Sequence, residues 1–140
     1  MSAKDVARAS IEAWNKRDFS RMRELMHADY SYTGGDGKEL KGADAGMEVA
    51  QGYATAFPDG RIEVTSIKEA GDTAIVEFVA RGTHKGDLMG IAPTGKSIDI
   101  RVCNVMDIRD GKIHKEREYF DALTMMAQLG VVKDPTAAHV

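Results

Sequence analysis

Cysteine is almost missing from this chain. The single Cys103 excludes an intrachain disulfide and any cysteine-cluster metal site, and reads as an ordinary strand residue. No apolar run reaches membrane-spanning length, and the opening MSAKDVARAS lacks the apolar centre of a secretory signal, so a cytoplasmic protein off the membrane is expected. An excess of positive charge is missing as well. Lys and Arg number 19 against 22 Asp and Glu, both signs scattered, and the formal charge of -3 leaves no basic footprint for nucleic acid. There is no G-x-S-x-G element and no evident base for Cys103, so nucleophilic catalysis lacks its parts. His27 and Asp29 form His-x-Asp without a third ligand at a recognisable spacing, so no metal is expected. The glycines between Gly34 and Gly42 lack the spacing of a phosphate loop and read as a connection.

What is present suffices for one domain. The 140 residues, 43% hydrophobic, can bury a core and leave room for one pocket, over a single domain 1–140 whose last ten residues, 131–140, form an irregular tail. Ser2 and Asp5 resemble a capping box ahead of an apolar stripe through Val6, Ala9, Ala13 and Trp14, which predicts a helix to about Arg17. Asp18 caps a second helix, predicted from Phe19 to about His27, followed by an extended piece from Tyr30 to Thr33. A third helix is predicted over Ala43 to Phe57, stopped by Pro58. Strands follow over Arg61 to Ala70 and Thr73 to His84. In the second of these, Val76, Phe78, Ala80, Gly82 and His84 share a face, and the small residues leave space on it. Lys85 to Lys96 reads as a loop pinned by Leu88, Met89 and Ile91, and Ala122 to Leu129 as a last helix ended by Gly130. Helices first, then antiparallel strands on short turns, predict an α+β fold with the helices on one sheet face.

The chemistry concentrates in Ser97 to Asp121, a hairpin predicted around Asp110-Gly111, which can take the positive φ angles of a two-residue turn. With that loop, Ile108 pairs with Ile113, Asn104 with Arg117, Val102 with Tyr119 and Ile100 with Asp121. One face then carries Ile100, Val102, Asn104, Met106, Ile108, Ile113, Lys115, Arg117, Tyr119 and Asp121. The other carries Arg101, Cys103, Val105, Asp107, His114, Glu116, Glu118 and Phe120, read as solvent or a homodimer contact. A bulge at Gly111 would slip the register by one and set Asp121 against Asp99 and Arg101. A carboxylate on the apolar face costs energy unless it is paired or protonated, so Asp121 is the leading candidate base, with helix capping as its structural alternative.

Several short stretches together carry a family likeness: Ala13-Trp14-Asn15 with Asp18, Phe57-Pro58-Asp59, Arg81-Gly82-Thr83-His84-Lys85-Gly86, Pro93-Thr94-Gly95-Lys96, Asp110-Gly111-Lys112-Ile113, Arg117-x-Tyr119-x-Asp121 and Gln128-Leu129-Gly130. In this order the chain resembles the SnoaL-like polyketide cyclases and ester cyclases of the NTF2-like superfamily, over nearly its whole length. The resemblance implies a cone: a curved antiparallel sheet wrapped around N-terminal helices, with an internal pocket for a small hydrophobic carbonyl compound. It implies aldol ring closure without metal or cofactor, with Asp121 as acid and base and His84 as a second pocket group. Asn104, Arg117, Tyr119, Phe78, Trp14, Tyr32 and Phe57 are the expected substrate-binding residues, and related domains commonly pair as homodimers. Other activities on the same fold stay open: a ligand-binding accessory domain, an epoxide hydrolase resembling the limonene enzyme if Asp99, Arg101 and Asp121 gather around a water, and a dimerisation scaffold.

Overall fold

The computed structural model describes residues 1–133; the end of the expected tail and His139 lie outside the described residues. The elements in chain order are α1 (Ala3–Asn15), α2 (Phe19–Glu24), β1 (Met26–Thr33), β2 (Glu39–Lys41), α3 (Ala43–Ala56), β3 (Arg61–Ala70), β4 (Thr73–Thr83), β5 (Ser97–Arg109), β6 (Lys112–Phe120) and α4 (Ala122–Gln128). The strands form one sheet in the order β2-β1-β6-β5-β4-β3, with β2 and β3 at its two free edges. Neighbours run antiparallel except β1 and β6, which are parallel. Register shifts in β1, β3 and β6 bend the sheet, because an extra residue on one strand increases local twist. Helices α1 and α3 pack on its concave face, α1 against β3, β4 and β5 and α3 against β1. This is the expected α+β architecture with an open, curved sheet.

Local chemistry explains the helix ends. The Ser2 hydroxyl accepts from the Asp5 N–H and the Asp5 carboxylate accepts from the Ser2 N–H, closing the predicted capping box. Arg17 adopts a positive φ of 59°, lays its guanidinium 4.1 Å from the Trp14 ring centre, and donates to the carbonyls of Trp14, Phe57, Pro58 and Gly60. It thereby ties the end of α1 to the turn before β3. The second helix is shorter than predicted. Met22, Leu25 and Met26 have helical spacing, yet Leu25 is already the cap and its carbonyl accepts from the Ile113 N–H at 2.7 Å, so pairing with β6 takes over the chain. The glycine-rich connection holds a short edge strand, β2, that the sequence reading left out.

The decisive correction is in the hairpin. Asp110 and Gly111 do take positive φ, 53° and 72°, and Ile108 does face Ile113. His114 is then an extra residue: Asp107 pairs with Lys115, and beyond it Val105 pairs with Arg117, Asn104 with Glu118, Cys103 with Tyr119 and Val102 with Phe120. A one-residue slip sends every later side chain to the opposite face. Glu116, Glu118 and Phe120 therefore point to the concave side, and Lys115, Arg117 and Tyr119 to the convex side, the reverse of the expectation. The slip lies at His114 rather than at Gly111, whose turn keeps its two-residue form.

Candidate active site

A cavity of about 140 Å³ lies between the helices and the sheet. Ile11, Trp14 and Met22 from the first two helices, Phe57 after α3, and Phe78, Ile100 and Met106 from the sheet make its walls mainly apolar. Trp14 is fixed there by its indole N–H, which donates to the Ala50 carbonyl at 3.0 Å. Mixed into this lining is one polar group of five side chains, Tyr30 and Tyr32 of β1, Asn104 of β5, and Glu116 and Glu118 of β6.

The five form one connected network of hydrogen bonds. The Tyr30 hydroxyl donates to Glu116 Oε1 at 2.8 Å and the Tyr32 hydroxyl to Glu118 Oε1 at 2.5 Å. From the other side the Asn104 amide donates to Glu116 Oε2 at 2.8 Å and to Glu118 Oε2 at 3.4 Å. Residues two apart on a strand share a face, so the Tyr-x-Tyr of β1 is set beside the Glu-x-Glu of β6 with Asn104 on the third strand. Gly46 lets this happen. A Cβ there would stand 2.4 Å from Tyr30 Cε1, so only glycine allows α3 to close on β1 with the Tyr30 ring in place.

Burial sets the protonation chemistry. The Glu118 carboxyl is pushed up to about 7, first by desolvation and then by the charge of Glu116, against the smaller opposing pull of the Tyr32 and Asn104 hydrogen bonds. Glu116 is raised as well, by desolvation, with Asn104 and Tyr30 working against it. Burial and the adjacent glutamates drive the phenols of Tyr30 and Tyr32 well above their usual range, so both stay neutral donors. The site thus holds two carboxylates that compete for one charge, a known way to tune a group toward neutral pH.

The expected site residues divide by the slip. Asn104, Phe78, Trp14, Tyr32 and Phe57 line the cavity. Asp121 does not: it is exposed and is the N-cap of α4, its carboxylate accepting from the Thr124 N–H at 3.1 Å and the Thr124 hydroxyl at 2.7 Å. Those bonds, the hydroxyl first, hold it below the ordinary carboxylate range. Arg117 lies on the convex face bonded to Asp107 at 2.8 Å, and Tyr119 is 58% exposed. His84 is fully buried but outside the cavity lining. Its ring sits 5.6 Å from that of Phe57, and its Nδ1 accepts from the Thr94 N–H at 3.2 Å, so it anchors the loop after β4. Asp99, Arg101 and Asp121 line a hollow together on the opposite side of the sheet, outside the cavity, and Asp99 is ion-paired there with Arg81, so the epoxide-hydrolase triad does not assemble in the cavity. Phe120, expected in a subunit contact, lines the cavity instead.

Glu116 and Glu118 escaped the sequence reading, although a parity signal was available. Ile113 and Phe120 are seven apart and fall on opposite faces of a regular strand, so putting both apolar ends inside demands one extra residue. Among the described residues no group of three or more His, Cys, Asp or Glu is placed to hold a metal, and no helix is long and apolar enough to cross a membrane.

Comparison with known proteins agrees with this fold. The chain is 29% identical over 127 residues to the aklanonic acid methyl ester cyclase AcmA of Streptomyces galilaeus, covering 89% of this chain and 88% of the relative. The crystal structure of IdmH from Streptomyces antibioticus, described as a candidate polyketide cyclase, superposes with a TM-score of 0.80 at 31% identity, over 93% of this chain and 99% of that one. A Catenulispora acidiphila protein with a ketosteroid isomerase-like fold matches at 0.76 with 19% identity over 89% and 92% of the two chains, a likeness of fold. The family model for SnoaL-like polyketide cyclases matches residues 4–129, which include every element that builds the cavity, and the chain belongs to that family.

Proposed function

We propose that this protein catalyses ring closure of a small, polyketide-like carbonyl compound, with Glu118 as the base that starts the reaction. The observation that carries this reading is Glu118 itself, a carboxylate on the wall of an apolar cavity with its pKa raised to about 7. A base is most effective when its pKa lies near the working pH. The family relatives named as methyl ester cyclases support the choice of substrate class.

The step balances within the substrate and one side chain. Glu118 takes the proton from the carbon next to a carbonyl, and the C–H electron pair moves onto that carbonyl oxygen as an enolate. The enolate carbon then bonds to a second carbonyl carbon of the same molecule, whose oxygen takes the proton back from Glu118. Glu116 keeps a second negative charge beside Glu118 and so favours uptake of the proton in the first step. Tyr30, Tyr32 and Asn104 hold the two glutamates in place through the bonds described above. Apolar walls exclude the water that would otherwise protonate the enolate.

The test is proton exchange followed by NMR in heavy water, with ethyl 2-methylacetoacetate and 2-methylcyclohexane-1,3-dione as probes. The wild-type protein is expected to speed loss of the acidic C–H signal, and kcat/KM to rise with pH through a midpoint of about 7 as Glu118 loses its proton. No acceleration over buffer across pH 5 to 9, with both probes bound, would replace this reading with that of a binding domain.

A further inference from the structure

The donors and acceptors around the cavity do not balance, and the imbalance orients the ligand. Around Glu116 and Glu118, every side-chain donor of the polar cluster is already used. The hydroxyls of Tyr30 and Tyr32 and the amide of Asn104 all point into Glu116 and Glu118. What this cluster has left is acceptor capacity, namely the carboxylates and Asn104 Oδ1, which is buried without a partner. An acceptor-rich cluster receives an acidic C–H or an O–H and repels a carbonyl oxygen. The carbonyl oxygen of a substrate held against this cluster therefore needs a donor from outside it.

Helix α3 supplies one. Tyr53 lines the cavity, and among the described residues its hydroxyl makes no hydrogen bond, in contrast to Tyr30 and Tyr32. It shares the cavity with Glu118, and burial first, then the charges of Glu118 and Asp36, push its phenol up, so it stays a neutral donor. The ring is half-buried on the α3 face that carries Val49 and Ala50 into the same cavity. Ser10 of α1 is the other lining hydroxyl without a hydrogen bond among the described residues, and it is the competing donor that the experiment below compares.

We infer that Tyr53 is the donor that binds the substrate carbonyl oxygen, facing Glu118, so that the reacting carbon lies toward the sheet and the developing enolate oxygen toward α3. The inference rests on the proposed role of Glu118. It adds a further catalytic residue and a binding mode: ligands dock with a hydroxyl or carbonyl oxygen on the helix side and an acidic hydrogen on the sheet side. A phenolate is a stable likeness of the enolate, so the cavity should bind phenols.

The experiment pairs 2-naphthol binding, followed by its fluorescence, with the exchange assay, in the wild type, Tyr53→Phe and Ser10→Ala. Tyr53→Phe keeps the ring and removes only the hydroxyl. It is expected to weaken 2-naphthol binding about 10-fold and to slow exchange about 10²-fold, the usual effect of losing one oxyanion donor. If the wild type proves inactive in exchange, weaker naphthol binding by Tyr53→Phe alone still supports the Tyr53 contact while the Glu118 reading fails. Unchanged binding and exchange in Tyr53→Phe, or losses in Ser10→Ala instead, would overturn the inference.

Discussion

Replacing Glu118 with Gln is expected to slow α-proton exchange and ring closure by roughly 10²- to 10⁴-fold. Asp121→Asn should leave both nearly unchanged. Gln keeps the volume of Glu and can still accept from the Tyr32 hydroxyl, so the wall of the cavity survives while the proton acceptor is lost. Asn at 121 still caps α4, because its side-chain oxygen can take the Thr124 N–H as Asp does, and the exposed site lies outside the cavity lining. The contrast separates the two carboxylates that compete for the role. A large loss in Asp121→Asn with full activity in Glu118→Gln would mean that the strand reverses its faces in solution. Glu116→Gln supplies the third comparison. It removes the charge that helps push Glu118 up, so the midpoint of the exchange profile should fall below about 7.

The second large effect is on stability, and its sign follows from the same shift. Glu118 has an ordinary value of 4.5 and is raised to about 7 in the folded protein. Below pH 4.5 both folded and unfolded chains hold the proton, and the residue costs nothing. Between 4.5 and about 7 the folded state binds more protons than the unfolded one, so stability falls as pH rises; above 7 the penalty is complete. At about 1.4 kcal/mol per unit the full shift corresponds to about 3.5 kcal/mol, and because Glu118 keeps some exposed surface the penalty comes down to about 2–3 kcal/mol. Glu118→Gln removes this penalty. Thermal melts should show the variant matching the wild type near pH 4.5 and exceeding it by roughly 5–10 °C at pH 8. An equal difference at both pH values would contradict the buried, raised carboxyl. Lower activity with higher stability is the pattern expected of a strained functional group.

The parts of this fold that sequence made legible are those decided by local chemistry. The capping box at Ser2, the stop of α3 before Pro58 and the two-residue turn at Asp110-Gly111 each depend on a few adjacent residues, and each stands where the sequence placed it. The end of α2 was misjudged because Met22, Leu25 and Met26 satisfy the helical period, while the strand pairing that overrides it comes from β6, nearly ninety residues away. The site was misjudged for a related reason. A bulge at His114 changes which face every later residue takes, yet leaves the local alternation of β6 intact. Counting pairs outward from the two-residue loop, with no bulge beyond it, then carried the wrong parity along the strand, and Glu116 and Glu118 are tolerable inside only with Tyr30, Tyr32 and Asn104 to bond them. That partnership is tertiary, and the sequence offered only the mismatch between Ile113 and Phe120 as its trace.

The most direct measurement is a pH titration of the side-chain carboxyls by carbon-detected NMR, on protein labelled at glutamate and aspartate. The account predicts a Glu118 midpoint of about 7 as the upper step of the coupled Glu116 and Glu118 pair, and an Asp121 midpoint below the ordinary 3.8. A Glu118 midpoint near 4.5 together with an Asp121 raised above 3.8 would contradict it, and would return the base to the end of the strand.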